Sequence, residues 1–448
     1  MQVKNEESLT AFGILVLSAA AAGGLLFGYH TAVISGVLGF FSSFFDLSPA
    51  KEGMVVSIML LLGFVGSLQA GYWADRWGRK KVMVIAACFL IAGSMLIAYS
   101  SNYFEVLYGR AVSGFAIGVV SVVSPLYLAE TAPPRYRGRC VSAFQLALAV
   151  GVLFSYVMAY FLSDEGTWHT LFVIGAGLAL VQFLLLIFIP ETPTWCISHE
   201  KQAQAVKALK KIRRDSLWES TLHLIPKISK EKMQWVDFTP PVRRVLIIGC
   251  ILSVFQQITG INAIIYYTPK IFQFVGITAD NSFLATLAIG CVNLLATLFA
   301  LCLLDKLGRR ILLFVGIIGM ILGLGVLSFG FFVESPLIDT LSLVSLMLYV
   351  ACFSLSLGPV TWVILSEIFP LKVRGNALAI ALCLNWLANY VISLTFPNLI
   401  AELGGGMAFG FFGIVSCLAF IFVCFFIPET KGKSLEQIET MVKSGKFK

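Results

Sequence analysis

The chain has 448 residues, 58% of them hydrophobic and only 12% charged, with a mean hydropathy of +0.89. Soluble proteins average about 25% charged residues, so a soluble enzyme, a disordered chain and a disulfide-built secreted module are excluded. Runs that are apolar all round, such as 248–253 and 411–427, also exclude an outer-membrane barrel, whose strands alternate, and the net charge of +8 reads as loop charge rather than as a nucleic-acid surface.

What remains is an all-α polytopic membrane protein, because only helices and closed barrels satisfy their backbone in lipid. A polar start, Met1–Thr10, leads into an apolar run too long for a cleavable signal. From there, at about 20 apolar residues per crossing, twelve spans follow at 11–38, 54–73, 82–100, 105–128, 140–162, 169–189, 244–273, 282–304, 311–333, 340–365, 376–397 and 407–427. The first two spans are joined by a loop whose single basic residue is Lys51. The next loop holds Arg76, Arg79, Lys80 and Lys81, and the charges keep alternating in this way. Across the chain 29 of the 32 Lys and Arg fall on one side, Lys51 and Lys270 on the other, and Arg110 inside a span. Both termini are therefore expected in the cytoplasm of a multi-pass cell-membrane protein, bacterial inner membrane included. The one long polar stretch, 191–243, carries Lys207, Lys210, Lys211, Arg213 and Arg214 at helical spacing and predicts short amphipathic helices at the cytoplasmic surface. The ten cysteines lie mostly inside apolar runs, with no CxxC and no Cys/His ligand spacing. No metal and no cofactor are expected, and the chain is expected to work as a monomer in the bilayer without nucleic acid.

The chain repeats itself. Asp75-Arg-Trp-Gly-Arg-Lys80 recurs in the second half as Asp305-Lys-Leu-Gly-Arg-Arg310. Glu130 through Arg137-Gly138 recurs as Glu367 through Arg374-Gly375, and Ile189-Pro-Glu-Thr192 recurs as Ile427-Pro-Glu-Thr430, in the same order and at nearly the same offset. Corresponding loops share a side, so the halves, 1–190 and 244–448, are parallel six-helix repeats about an axis along the membrane normal.

These paired loops resemble the signature of the major facilitator superfamily. The sugar porter branch is resembled further in Gly24-Leu-Leu-Phe-Gly-Tyr29, Pro190-Glu-Thr-Pro193, Gln256-Gln-Ile-Thr-Gly-Ile-Asn262, Gly358-Pro-Val-Thr-Trp362, Ser366-Glu-Ile-Phe-Pro370 and Pro428-Glu-Thr-Lys-Gly432, in order over essentially the whole chain. The resemblance implies pseudo-symmetric halves that carry a hexose or pentose, bound midway between them, by alternating access. It also implies sugar contacts at Gln145, Gln256, Gln257, Asn262, Asn293, Trp362, Asn385 and Trp386, with Phe27 and Phe353 as aromatic neighbours.

The residues support this independently. A sugar hydroxyl both donates and accepts, as neutral amides do, and mid-span amides are costly against lipid. Those within spans include Gln69, taken as structural, and Gln145, Gln182, Gln256, Gln257, Asn262, Asn293, Asn385 and Asn389. Gln182 and Asn389 are read as helix-to-helix hydrogen bonds. At the cytoplasmic helix ends Asp75, Arg79, Glu130, Arg137 and Glu191 are repeated by Asp305, Arg309, Glu367, Arg374 and Glu429, which the resemblance implies to be a gate at the seam of the halves. Thr194 stands where the family usually has Arg.

Every Asp and Glu falls in a loop, a terminus or a helix end. In the proton-coupled members that the chain resembles, the residue after the Tyr29 position is Asp, facing an Arg of the fourth span, and some of them carry a second acid at the Gly175 position. Here these are His30, Arg110 and Gly175. The facilitative members carry Asn at the first position and share the Asn385-Trp386 pair. An Arg beside a buried imidazole disfavours its charged form, so the sequence reading is a uniporter, for a hexose such as glucose, with proton symport through His30 as the alternative. A sugar sensor is disfavoured by the short tail after Pro428, and an intramembrane enzyme by the absence of HExxH, GxSxG or paired mid-span carboxylates.

Overall fold

The structure is a computed structural model that describes residues 9–133, 136–162, 167–212, 239–333, 338–370, 373–432 and 437–438. Its helices, in chain order, are α1 (Ala11–Phe44), α2 (Pro49–Trp77), α3 (Arg79–Ala98), α4 (Tyr103–Thr131), α5 (Arg137–Leu162), α6 (Trp168–Phe188), α7 (Pro193–Ser198), α8 (Gln202–Ile212), α9 (Pro240–Ile258), α10 (Ile261–Phe274), α11 (Ala279–Leu307), α12 (Arg309–Val333), α13 (Ile338–Leu355), α14 (Leu357–Ile368) and α15 (Arg374–Phe426). Among the described residues eleven stretches are long and apolar enough to cross a membrane. Large apolar side chains along them stay exposed, Phe188 at 71% and Phe425 at 72%, as lipid-facing residues do and water-facing ones rarely do.

The last stretch runs 53 residues. Straight, it would extend about 80 Å, more than twice a bilayer core. It is not straight. Gly404 breaks it with φ 76° and ψ 164°, a region open essentially to glycine alone. Phe396 then meets Phe409 and Phe412 at ring-centroid distances of 6.4 and 5.9 Å, where a continuous helix would hold residues 396 and 412 about 24 Å apart. The chain folds back there, so α15 supplies the expected spans 376–397 and 407–427 as two crossings. The fold is thus the all-α polytopic one expected of a major facilitator.

Two expected spans are broken instead. The seventh divides at Gly260, in left-handed backbone (φ 98°), into α9 and α10. The tenth divides at Ser356 (φ −123°, ψ −97°), just before Gly358-Pro359, into α13 and α14. Other ends follow ordinary capping. Asn102 accepts from the Glu105 amide at 3.1 Å as the N-cap of α4, and the Glu105 carboxylate accepts in turn from Asn102 Nδ2 and the Ser101 amide at 2.7 Å each. Thr192 caps α7 ahead of Pro193. In the polar middle stretch, α8 buries Ala205, Ala208, Leu209 and Ile212 and exposes Lys207, Lys210 and Lys211. Thr10 binds its end, donating to Lys211 O at 2.5 Å and Ile212 O at 3.0 Å. Arg213, Arg214 and the rest of that stretch to 238 lie outside the described residues.

The chain divides into two compact units. One comprises Met1–His30, Leu62–Gly151 and His169–Lys232; the other comprises Thr31–Leu61, Val152–Trp168 and Met233–Lys448. Within the first, α3 packs along α4; within the second, α9 packs on the first arm of α15, and α12 on α13 and α15.

Candidate functional site

Four of the expected amides form one hydrogen-bonded cluster in the second unit. Gln256 and Gln257 occupy the last turn of α9, Asn262 the first turn of α10, and Asn385 faces them from α15. Gln257 Nε2 donates to Asn385 Oδ1 at 3.0 Å, Asn262 Nδ2 to Gln257 Oε1 at 2.6 Å, and Asn385 Nδ2 to Gln256 Oε1 at 2.7 Å and Ser253 O at 2.9 Å. Gln256 Nε2 donates both hydrogens, to Leu357 O and Gly358 O at 3.0 Å each, tying α9 to the first residues of α14. The α9–α10 break explains the geometry: a continuous helix would not let Asn262, five residues on, reach back to Gln257.

Asn293, half-buried on α11, accepts from Ser354 Oγ at 2.7 Å. Trp386 is buried next to Asn385, Trp362 is half-buried on α14, and Phe353 lies against Gly358. In the first unit Gln145 is half-buried on α5, one residue after Phe144, whose ring is 6.4 Å from that of Phe27. Gln182 bonds Ala19 O at 3.5 Å. Asn389, read from sequence as structural, links α15 to α10: it donates to Tyr266 Oη at 3.4 Å and accepts from Ser393 Oγ of its own helix at 3.2 Å.

His30 and Arg110 meet in the first unit, both 2% exposed. Arg110 Nη1 donates to His30 O at 3.1 Å. The imidazole is hydrogen-bonded to the Gly175 main chain, and its Nε2 is buried without a hydrogen-bond partner. A Cβ at Gly175 would come within 3.0 Å of His30 Cε1, so at this position the sixth span meets the ring with main chain.

The cytoplasmic motifs build the same clasp twice. In the first unit Arg79, 7% exposed, binds Glu130 at 3.0 Å and the largely exposed Asp75 at 2.7 Å. Thr192 Oγ1 donates to Glu130 at 2.5 Å, and Glu191 accepts from the amides of Arg79 (3.0 Å), Lys80 (3.1 Å) and Thr192 (2.9 Å). In the second unit Arg309 binds Glu367 at 2.9 Å, Thr430 donates to Glu367 at 2.5 Å, and Glu429 accepts from the amides of Arg309 (3.1 Å), Arg310 (3.0 Å) and Lys431 (2.9 Å). Gly78 (φ 99°) and Gly308 (φ 95°) bring these amides under the carboxylates; a Cβ there would meet the Glu191 and Glu429 oxygens at 2.2 and 2.8 Å. Burial raises the Glu191 carboxyl above the usual range, against its amide donors. At Glu429 burial acts the same way, but donation from Lys431, Arg310, Arg309 and Thr430 prevails and holds it below.

Each of these pairs ties helices of a single unit. Arg137 is exposed at the start of α5 and joins no described ion pair, and Arg374 donates to Phe369 O at 3.0 Å. The Asp305 side chain lies outside the described residues. Sequence reading missed Thr192 and Thr430, although their place in the repeated Ile-Pro-Glu-Thr was visible.

The chain is similar to known proteins over nearly its whole length. The profile of the family described as sugar (and other) transporters matches residues 16–442. The arabinose-proton symporter of Bacillus subtilis is 35% identical over 96% of this chain and 95% of its own. The glucose transporter GlcP of Staphylococcus epidermidis is 37% identical over 95% and 96%. The inward-open structure of the xylose transporter XylE from E. coli superposes with a TM-score of 0.84 at 33% identity, covering 96% of this chain and 99% of that one.

Proposed function

The chain belongs to the sugar (and other) transporter family, the sugar porters of the major facilitator superfamily, and on that basis we propose that it carries an aldose of pentose or hexose size by alternating access, together with a proton. It is a multi-pass membrane sugar transporter. The sugar is held by the amide cluster of α9, α10 and α15. There Asn262 and Asn293, both half-buried, offer amide groups to hydroxyls while Gln256, Gln257 and Asn385 hold the frame, and Trp362 and Trp386 offer planes to the C–H faces. The halves 1–190 and 244–448, linked by 191–243, are the moving bodies, working in one monomer with both termini in the cytoplasm.

The observation that carries the coupling reading is the His30 imidazole. A buried basic nitrogen without a partner, in a span, calls for an explanation, and a proton site is the one that membrane transport provides. The proton-symporter name of the Bacillus relative supports it over the uniport reading of the sequence. Uniport keeps one specific observation in its favour, the Arg110 guanidinium bonded at His30 with no acid at Gly175. Sugar added to a weakly buffered suspension of loaded vesicles decides between them. Symport alkalinises the medium, accumulates sugar under an inward proton gradient, and loses both in His30→Asn while exchange of labelled sugar persists. A uniporter equilibrates sugar, moves no proton and ignores the gradient. D-Glucose, D-xylose and L-arabinose compared in the same assay assign the substrate.

A further inference from the structure

By sequence, two of the 32 Lys and Arg lie at the end of the spans opposite the clasps, Lys51 and Lys270. Lys270 is not simply solvated. From the third turn of α10, with its side chain 30% exposed, it pairs with the Glu52 carboxylate in the first turn of α2, itself 11% exposed. Ser42, near the end of α1, donates to the same carboxylate and receives Lys270 Nζ at 3.2 Å. Three helix segments belonging to the second unit thus meet in one polar knot.

The packing around the knot is close. A Cβ at Gly53 would approach Leu394 O of α15 to 2.3 Å. Tyr267 donates to Ser393 O at 2.9 Å, and Tyr156 of α5 donates to Ile265 O at 2.9 Å. The broken backbone at Gly260 separates α10 from α9, so α10 is a short segment able to turn without bending its neighbour. An exposed ion pair contributes little. One shielded this far leaves an uncompensated charge when either partner is removed.

We propose that Ser42, Glu52 and Lys270 form an ion-pair latch that holds this end of the transport path shut and sets how often the sugar site opens toward the side the charge asymmetry places outside. The proposal rests on alternating access. α1, α2 and α10 are joined by the pair only while this end is closed, so each opening breaks it, and its strength enters the equilibrium between the two facing states. A sugar arriving from outside meets a binding-competent form in proportion to how often the latch is open, which weakens its apparent affinity by that fraction.

Four variants test this: Lys270→Gln, Glu52→Gln, Ser42→Ala and the swap Glu52→Lys/Lys270→Glu, each reconstituted as the full chain. Two quantities are read: amide hydrogen exchange over 261–274 in lipid nanodiscs, and half-saturation for labelled D-glucose or D-xylose presented from each face of oriented vesicles. Both single charge removals are expected to speed exchange in α10 and to lower half-saturation from the outer face about three- to tenfold, without lowering it from the inner face. The swap is expected to restore the wild-type values. Ser42→Ala keeps both charges and is expected to give a smaller shift of the same sign, so it carries the test if a charge removal fails to fold. Unchanged exchange and an unchanged ratio between faces, or a folded swap that restores neither, overturns the latch. If the wild type takes up no sugar, the transport reading fails while exchange still judges the latch. If it transports and the variants match it, the latch alone fails.

Discussion

Gln256 uses both amide hydrogens on main-chain carbonyls of α14 and lends its oxygen to Asn385, so it is a brace as much as a contact. Gln256→Ala is therefore expected to weaken sugar binding by about 1–3 kcal/mol and to lower the unfolding temperature as well, because two carbonyls and one amide lose their partner together. Asn293→Ala, which frees only Ser354 Oγ, is expected to weaken binding while leaving the unfolding temperature near wild type. Titration of binding by intrinsic tryptophan fluorescence, beside a thermal scan in detergent, separates the two. The sequence showed the amides, because hydrocarbon makes any mid-span amide conspicuous. It did not show which were braces: the acceptors of Gln256 are backbone carbonyls on a helix far along the chain, and a carbonyl leaves no mark in a sequence. His30 and Arg110 were paired by resemblance alone, and the unpartnered Nε2 became visible only once the Gly175 main chain was seen to take the other side of the ring.

At the scale of the element, three glycines stand where no other residue is at ease. Gly404→Ala is expected to destabilise the protein by about 1–3 kcal/mol, since φ 76° with ψ 164° admits essentially glycine; a lowered melting temperature with unaltered half-saturation checks this. Gly78 and Gly308 hold the turn that aims two amides at a carboxylate, and the paired carboxylates differ in charge economy. A carboxyl held below its unfolded value stabilises the fold at neutral pH and loses that stability as pH falls through the folded value. One held above its unfolded value costs stability at neutral pH, and the cost is relieved by acid. Glu429→Gln is accordingly expected to lower the melting temperature at neutral pH, the deficit closing only as pH falls below the ordinary glutamate value of about 4.3, whereas Glu191→Gln is expected to cost less at neutral pH. Scans of both variants across that range give the comparison. The spans themselves were legible because lipid forces long apolar helices. The breaks at Gly260 and Ser356 were not: an interrupted helix keeps the hydropathy of an unbroken one.

For the whole molecule, the three motifs that recur in order along the second half become two matching clasps, each with an Arg, a Glu beneath a Thr, and a second Glu over a helix start. We propose that each clasp, by fixing the packing of its own unit, biases the equilibrium between facing states, so neutralising Glu130 or Glu367 is expected to slow turnover more than it weakens sugar binding. Counterflow rates set against equilibrium binding for Glu130→Gln and Glu367→Gln test this. Wild-type turnover with poorer binding would assign the clasps to packing instead.

The place of Thr192 and Thr430 in the chain has a further consequence. Each closes its clasp from just beyond the last crossing of its half, donating to a glutamate 62 or 63 residues earlier. During synthesis the first clasp thus cannot form until all six leading crossings have left the ribosome, and it can form before the second half exists. Closure at Thr192 would then mark a checkpoint in membrane insertion. A nascent chain stalled short of that residue would present Arg79 and Glu130 unlocked, and one stalled beyond it would carry a finished fastening into the bilayer while translation of the remainder continues.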